Sequence, residues 1–191
     1  MLDNYRKIVV GANKKMNLVS RRNVENLLER LIEESLLPLK WNVCRLASPL
    51  IDIGSGAGIP AVPLKIEKPG LKLTLTDANR RKSLFLKRVI DQLALEDVEV
   101  INERIENVCS DGVYKHRFGT MTSRAVGSLS GLMNWGRFLL KPGGELIVWK
   151  GSSLADEMAG LDTNGWEGAD LWRQANGLTL VRFVRLRGNA A

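Results

Sequence analysis

The fold is decided by one stretch of the chain, Leu50–Pro60, which reads LIDIGSGAGIP. The apolar residues Leu50, Ile51 and Ile53 predict a buried parallel strand. Pro60 suits the first turn of a helix, because the N–H that proline lacks has no partner there. The alternating glycines between them allow a sharp turn and let a ligand lie against the backbone. The stretch therefore predicts a strand, a ligand-binding loop and a helix.

The spacing of the glycines narrows the class of ligand. A phosphate-binding Walker A loop ends in Gly-Lys-Ser or Gly-Lys-Thr, whereas Gly58 is followed by Ile59, Pro60 and Ala61. The dinucleotide fingerprint G-x-G-x-x-G needs its third glycine at position 59, where this sequence has isoleucine. The G-x-G-x-G spacing favours an adenosine-bearing cofactor other than a nucleoside triphosphate or NAD.

A carboxylate is expected at the end of the next strand. Leu71–Asp77 alternates apolar with polar or β-branched residues, which predicts a strand with Asp77 at its carboxyl tip. In doubly wound sheets, an acid about 20 residues after the glycine turn binds a ribose hydroxyl. Asp52 and Asp77 are therefore predicted to flank one crevice. The alternative is that either aspartate caps the element that follows it.

Composition limits the class of protein. The chain has 191 residues, 45% of them hydrophobic, and no apolar run of about 18 residues that could cross a membrane. Its first residues carry no apolar segment typical of a secretory signal. We expect a cytoplasmic protein that needs no membrane, with a monomer as the default state. Cys44 and Cys109 show no C-x-x-C spacing and are most simply reduced thiols, so neither a disulfide nor a metal site is expected.

The charge of the chain indicates the kind of partner. The formal net charge is +7, which favours a polyanion such as RNA or DNA. Any one basic cluster is most simply a solvated surface, but several occurring together favour nucleic acid. The clusters are Lys14–Lys15, Arg21–Arg22, Arg80–Lys82 with Lys87–Arg88, and Arg182 with Arg185 and Arg187.

Strands and helices are predicted to alternate along the chain. Apolar spacing predicts an amphipathic helix over about 23–37, ending before Pro38, and a helix capped by Asn79 that runs to about Leu93. The remaining elements are strands at 98–101, 119–123 and 145–150, a helix at about 129–140, and an antiparallel edge strand at 178–186. This order predicts an α/β protein whose mostly parallel, doubly wound sheet carries helices on both faces.

The sequence resembles the RsmG (GidB) family over nearly its whole length. The resemblance is carried by Leu50–Pro60, Asp77, Thr122–Ala125, Leu140–Gly144 and Trp149–Gly151, and it extends to Asn13–Leu18 and the N-terminal helix. It implies a single class I (Rossmann-like) methyltransferase domain over 1–191. An N-terminal helical extension over 1–41 would precede a core with a seven-stranded sheet over 42–191. It also implies methylation of a guanine N7 in small-subunit ribosomal RNA, free or in a pre-ribosomal particle, with S-adenosylmethionine as methyl donor.

The family match also implies roles for individual residues. It places Ile59 and Ile105 on either side of the adenine, Glu106 beside it, and Asp77 on the ribose. Arg124 is expected in the active site, against the cofactor or the target nucleotide; the alternatives are a surface salt bridge for Arg124 and a helix-start acid for Glu106. The full set implied for the cofactor is Asp52, Gly54, Gly56, Gly58, Ile59, Asp77, Ile105, Glu106 and Arg124. The set implied for RNA is Asn13, Lys14, Lys15, Asn17 and Arg30.

Two other functions are compatible with the glycine loop. One is a class I methyltransferase acting on a small molecule or a protein, which the basic clusters argue against. The other is an NADP-binding oxidoreductase in which Arg80 and Arg81 would bind the 2′-phosphate. The absence of a third glycine and the presence of Asp77, which would repel that phosphate, argue against it.

Overall fold

The computed structural model describes residues 1–20 and 22–187. These residues form a seven-stranded sheet with the strand order β3-β2-β1-β4-β5-β7-β6. Strands β1 to β5 pair in parallel, and β7 runs antiparallel to both β5 and β6. The predicted α/β, doubly wound, mostly parallel architecture is therefore confirmed.

Helices and strands alternate through most of the chain. The strands are β1 (Leu50–Ile53), β2 (Leu73–Thr76), β3 (Val98–Ile101), β4 (Phe118–Arg124), β5 (Leu140–Lys150), β6 (Asp170–Arg173) and β7 (Thr179–Val184). The helices are α1 (Leu2–Asn13), α2 (Val24–Ser35), α3 (Leu37–Lys40), α4 (Ala61–Glu67), α5 (Arg80–Leu93), α6 (Ile105–Ser110), α7 (Leu129–Leu139) and α8 (Leu154–Met158).

Strand β1 is buried because helices cover both faces of the sheet. Leu50 packs into one hydrophobic cluster with residues of α1, α2, α4 and α5, while Ile51 and Ile53 pack into a second cluster with residues of α6, α7 and α8. Successive side chains of a strand point to opposite faces. Asp52 therefore points to the face of Leu50, which α1 covers.

Several boundaries differ from the sequence predictions. The strand predicted at 178–186 is antiparallel but not at the edge, because β6, which the sequence analysis missed, pairs with its outer side. The helix predicted to end before Pro38 ends at Ser35, and Pro38 then lies in the first turn of α3, where its missing N–H is harmless. Asn79 caps α5 as predicted, accepting hydrogen bonds from the N–H groups of Arg81 and Lys82.

The N-terminal helices pack directly on the core. Helix α1 lies within the expected N-terminal helical extension, although its residue pattern was not singled out; it contacts α2 and α5, and α2 contacts α4. Within the described ranges, no helix has the length and apolarity needed to cross a membrane. Arg21, a member of one predicted basic cluster, lies outside the described residues, as do residues 188–191 of the predicted domain.

Candidate active site at the carboxyl ends of strands β1 and β4

The loop after β1 is shaped by three glycines, all with positive φ, that have different neighbours. A Cβ on Gly54 would overlap the side chain of Val126, and one on Gly58 would lie 2.6 Å from Val62 Cγ2. These two glycines let the loop pack closely against the protein. Gly56 is different: the nearest atom to a Cβ there would be 3.8 Å away. The backbone at Gly56 is therefore open to a ligand.

Hydrogen bonds join the loop to Asp77, which follows β2, and to the N-terminal helix α1. The Asp77 carboxylate accepts hydrogen bonds from Gly56 N–H (2.9 Å) and Asn79 N–H (2.8 Å). The Tyr5 hydroxyl on α1 donates to the Ala57 carbonyl at 2.9 Å. Each Asp77 oxygen thus accepts one backbone N–H and retains a lone pair. Asp77 is 8% exposed and is not among the residues that line the crevice beside the loop, so its contact with ribose hydroxyls stays a prediction.

Asp52 does not flank the crevice as predicted. It is 1% exposed, because its position in β1 turns it toward the cluster covered by α1 rather than toward the open end of the sheet. Its Oδ1 accepts a 2.7 Å hydrogen bond from the hydroxyl of Thr122, its neighbour on β4. Burial raises the pKa of Asp52 to about 7, opposed by hydrogen bonding and assisted by the negative charge of Asp77. Asp52 is part of the interior beneath the loop.

A crevice of about 310 Å³ lies beside the glycine loop. The loop and the segment Arg124–Val126 after β4 contribute to its walls, α2 contributes Leu27 and Leu31, and α5 contributes Lys82. Among the described residues that line it, Lys82 and Arg124 are the ionisable ones, and neither a carboxylate nor a histidine is present. The lining combines apolar surface, open backbone and positive charge.

Arg124 reaches this crevice while paired with an acid on α2. One of its guanidinium nitrogens, Nη2, donates to Glu34 Oε2 at 2.5 Å, while Nη1 is buried without a partner within the described part of the chain. Glu34 also accepts from Asn176 Nδ2 at 2.8 Å and lies 3.8 Å from Arg30 Nε. Arg124 therefore has the salt bridge named as the alternative and also lines the crevice, while its contact with the cofactor or the target nucleotide stays a prediction.

The residues predicted to bind RNA are not all accessible. Asn13 is 2% exposed, and its side-chain oxygen accepts hydrogen bonds from the N–H groups of Leu18 and Val19. Its prediction as an RNA contact is wrong, since Asn13 shapes the turn after α1. Lys14, Lys15, Asn17 and Arg30 are exposed. Their contact with RNA stays a prediction.

The predicted adenine residues lie at the start of α6 and in the loop. Ile59 is 8% exposed and lines the crevice. Ile105, 9% exposed, packs with the cluster of α6 and α7, and Glu106 is exposed in the first turn of α6. Neither Ile105 nor Glu106 lines the crevice beside the loop. That Ile105 and Glu106 lie beside the adenine of a bound cofactor stays a prediction.

Sequence reasoning missed the contribution of helix α2. Leu27 and Leu31 were predicted only as part of the apolar face of an amphipathic helix, and Glu34 carries no motif that marks it as the partner of Arg124. The one available signal is weak: Glu34 is an acid four residues after Arg30, within pairing distance on a helix. Lys82 was noted only as a member of a basic cluster.

Comparison with known proteins gives both family and fold. A family model described as "GidB: rRNA small subunit methyltransferase G" matches residues 1–166. The ribosomal RNA small subunit methyltransferases G of Carboxydothermus hydrogenoformans and Chloroflexus aggregans are 36% and 40% identical over 83% and 77% of this chain. The chain spans 67% and 61% of the length of these two relatives.

A solved structure also resembles the chain. The tRNA (m1A58) methyltransferase TrmI from Aquifex aeolicus superposes with a TM-score of 0.67 over 96% of this chain and 76% of that chain, at 12% sequence identity. At this identity the likeness concerns the fold alone.

Proposed function

The chain belongs to the GidB family, the rRNA small subunit methyltransferases G, and from this premise we propose that it methylates N7 of a guanine in small-subunit ribosomal RNA. When bound, S-adenosylmethionine supplies the electrophilic methyl group. The substrate is the RNA itself or a pre-ribosomal particle. We further propose that the enzyme acts as a monomer in the cytoplasm.

The single observation that carries the choice of nucleophile is the lining of the crevice, where the described residues offer no carboxylate and no histidine. A nucleophile that must first lose a proton needs a base within hydrogen-bond reach. Guanine N7 has a lone pair in the plane of the ring and needs no deprotonation. Positioning of the guanine ring, with N7 in line with the transferred methyl group, then supplies most of the rate acceleration.

The residues present fit S-adenosylmethionine. Asp77 would accept from the ribose hydroxyls through the lone pairs that Gly56 and Asn79 leave free. The open backbone at Gly56 allows close approach of the ligand. Arg124 Nη1, buried and without a partner in the described chain, would donate to the carboxylate of the methionine moiety or hold the target nucleotide. Ile59 and Ile105 would enclose the adenine.

The proposal is tested by methyl transfer from labelled S-adenosylmethionine to two substrates, deproteinised small-subunit rRNA and assembled small subunits. We expect label in 7-methylguanine of at least one of them, identified by nucleoside analysis. Label in another nucleoside, or transfer only to a protein or small molecule, would contradict the proposal. Binding of NADPH without binding of S-adenosylmethionine would replace it with a redox function.

A variant identifies the site. Asp77→Ala should weaken equilibrium binding of S-adenosylmethionine, while Asp91→Ala, which removes an exposed acid from the last turn of α5, far from the glycine loop, should bind normally. Equal binding by both variants would remove Asp77 from the cofactor site.

A further inference from the structure

We propose that an RNA strand adjoining the target guanine docks in a groove between helices α1 and α5. This inference rests on the proposed function, since it names the surface by which the RNA substrate is held. The groove has a volume of about 710 Å³ and lies outside the cofactor crevice. Helix α1 and the residues just after it form one wall, and α5 forms the other.

The groove is lined by positive charge. Lys7 and Lys15 lie on the first wall, and Arg81 and Arg88 lie on the second. No aspartate or glutamate is among the described residues that line it. In the part of the chain that the structure describes, none of these four cations lies within 4.0 Å of a carboxylate oxygen. Their charge is therefore available to an external anion.

The spacing of the cations favours an extended polyanion over a single phosphate. Arg81 and Arg88 are seven residues apart on α5, which places them on one face of the helix and about 10 Å apart along its axis. Lys7, within α1, and Lys15, in the turn after α1, line the opposite wall eight residues apart in the chain. A small anion could contact one of these positions, whereas a nucleic acid backbone presents charges along the whole groove.

Apolar side chains lie between the cations. Leu84, between Arg81 and Arg88 on α5, is 55% exposed, and Ile8 and Phe85 also line the groove. Single-stranded nucleic acid binds best where positive charge follows the backbone and apolar or aromatic surface receives bases. A mixed lining of this kind suits an unpaired RNA strand.

The groove opens beside the crevice. Arg81 lines the groove and the next residue, Lys82, lines the crevice, so both cavities reach the first turn of α5 and each has a cation there. An RNA strand held by the groove would pass the mouth of the crevice.

The test measures affinity for small-subunit rRNA as a function of salt concentration. Arg81→Gln/Arg88→Gln should bind on the order of tenfold more weakly near physiological salt, and the slope of log affinity against log salt should fall by about 2. The control, Lys87→Gln/Lys141→Gln, removes the same charge from exposed positions outside the groove. Its affinity should stay within about twofold of the wild-type value.

A second variant blocks the groove without removing any cation. Gly11 lies in the α1 wall, and a Cβ there would meet no atom within 4 Å. Gly11→Glu should fold normally, because glutamate favours helix more than glycine does, and should weaken RNA binding through its negative charge. Gly11→Gln, with nearly the same shape, should weaken it much less. All these variants should bind S-adenosylmethionine like the wild type.

The outcomes separate this proposal from the proposed function. Wild-type methylation of a guanine N7 with unchanged RNA affinity of the groove variants would overturn the groove alone. So would a wild-type chain that shows no salt-dependent affinity for rRNA. Loss of activity on assembled subunits with unchanged affinity for free RNA would overturn it in favour of an acidic protein partner. Absence of methylation by the wild type would count against the proposed function itself.

Discussion

Two buried acid–arginine pairs lie at opposite ends of the β4–β5 strand pair. In one pair every buried polar atom has a hydrogen-bond partner, and in the other one arginine nitrogen has none in the described chain. Glu145, on β5 opposite Thr120, is 0% exposed and accepts from Arg182 Nη2 at 2.6 Å as well as from Arg45 and Leu46. Arg182 also donates to Asp170. Arg124, four residues beyond Thr120, pairs with Glu34 but leaves Nη1 buried without a partner in the described chain.

The difference assigns the two pairs to different tasks. A buried polar network in which every group is satisfied rigidifies the fold, and the Glu145 network joins β5, β7, β6 and the segment before β1. A buried donor without a partner is costly and calls for an explanation from function. The complete pair holds the sheet together, and we propose that the incomplete pair contacts the bound cofactor.

The largest expected effect comes from breaking the complete pair. Glu145→Gln replaces a carboxylate that five N–H groups approach with an amide that has one acceptor oxygen, and leaves Arg182 partly uncompensated. We expect a loss of about 3–5 kcal/mol in the free energy of unfolding, measured by urea denaturation. Glu34→Gln should lower the free energy of unfolding far less. Equal losses for the two would abolish the distinction between the pairs.

A third buried carboxylate, Asp52, has no cationic partner among the described residues and can be compared with the two pairs. Its folded pKa is raised to about 7 by burial, whereas the unfolded chain releases this proton near pH 4. Between these values the folded state binds more protons, so its contribution to stability falls as pH rises, and levels off above pH about 7. The decline is about 1.4 kcal/mol per unit of pKa difference.

Asp52→Asn should remove that decline. The measurement is the free energy of unfolding of wild type and variant from pH 4 to pH 8, taken as a difference so that other titrating groups cancel. The free energy of unfolding of the variant, minus that of the wild type, should increase as pH rises from 4 to about 7. Asp91→Asn, at an exposed position, should show a constant difference. A constant difference for Asp52→Asn would show that its carboxyl is already ionised at low pH.

The incomplete pair should affect binding more than stability. Glu34→Gln removes the charge that orients Arg124, and we expect the KM for S-adenosylmethionine to rise on the order of tenfold, or about 1.4 kcal/mol. Glu33→Gln, at the adjacent exposed position, is the matched control and should leave KM unchanged. An unchanged KM in both variants would show that Arg124 does not depend on Glu34.

The smallest expected effect concerns the hydrogen bond between Tyr5 on α1 and the glycine loop. Tyr5→Phe removes the hydrogen bond to the buried Ala57 carbonyl, which should cost about 1 kcal/mol of stability and weaken cofactor binding slightly. Tyr114→Phe, at a ring that stacks on Phe118, is the control for stability, and calorimetric titration measures the binding. Tighter binding by Tyr5→Phe would contradict a bracing role.

The sequence predicted those parts of the fold that depend on local pattern. The run Leu50–Ile53, the glycine spacing and the Asn79 cap each express a local rule, and each element appears where it was predicted. The short strand β6 and helix α1 carry weaker patterns, and their places are set by packing on elements far away in the chain.

The site could be predicted only in part, for a similar reason. Asp77 was placed correctly at a strand end because it follows the last residue of β2. Asp52 was misplaced because its orientation depends on which face of β1 the distant helix α1 covers. The pairing of Glu34 with Arg124 joins residues 90 positions apart, and no spacing rule reaches that far.

The central claim is that the incompletely paired arginine faces the cofactor, and titration of S-adenosylmethionine into Arg124→Gln tests it most directly. Glu34 retains Asn176 and the nearby Arg30 in this variant, so the fold should persist, as verified by urea denaturation. We predict that the Kd for S-adenosylmethionine rises at least about tenfold. A folded Arg124→Gln variant with the wild-type Kd would contradict the account.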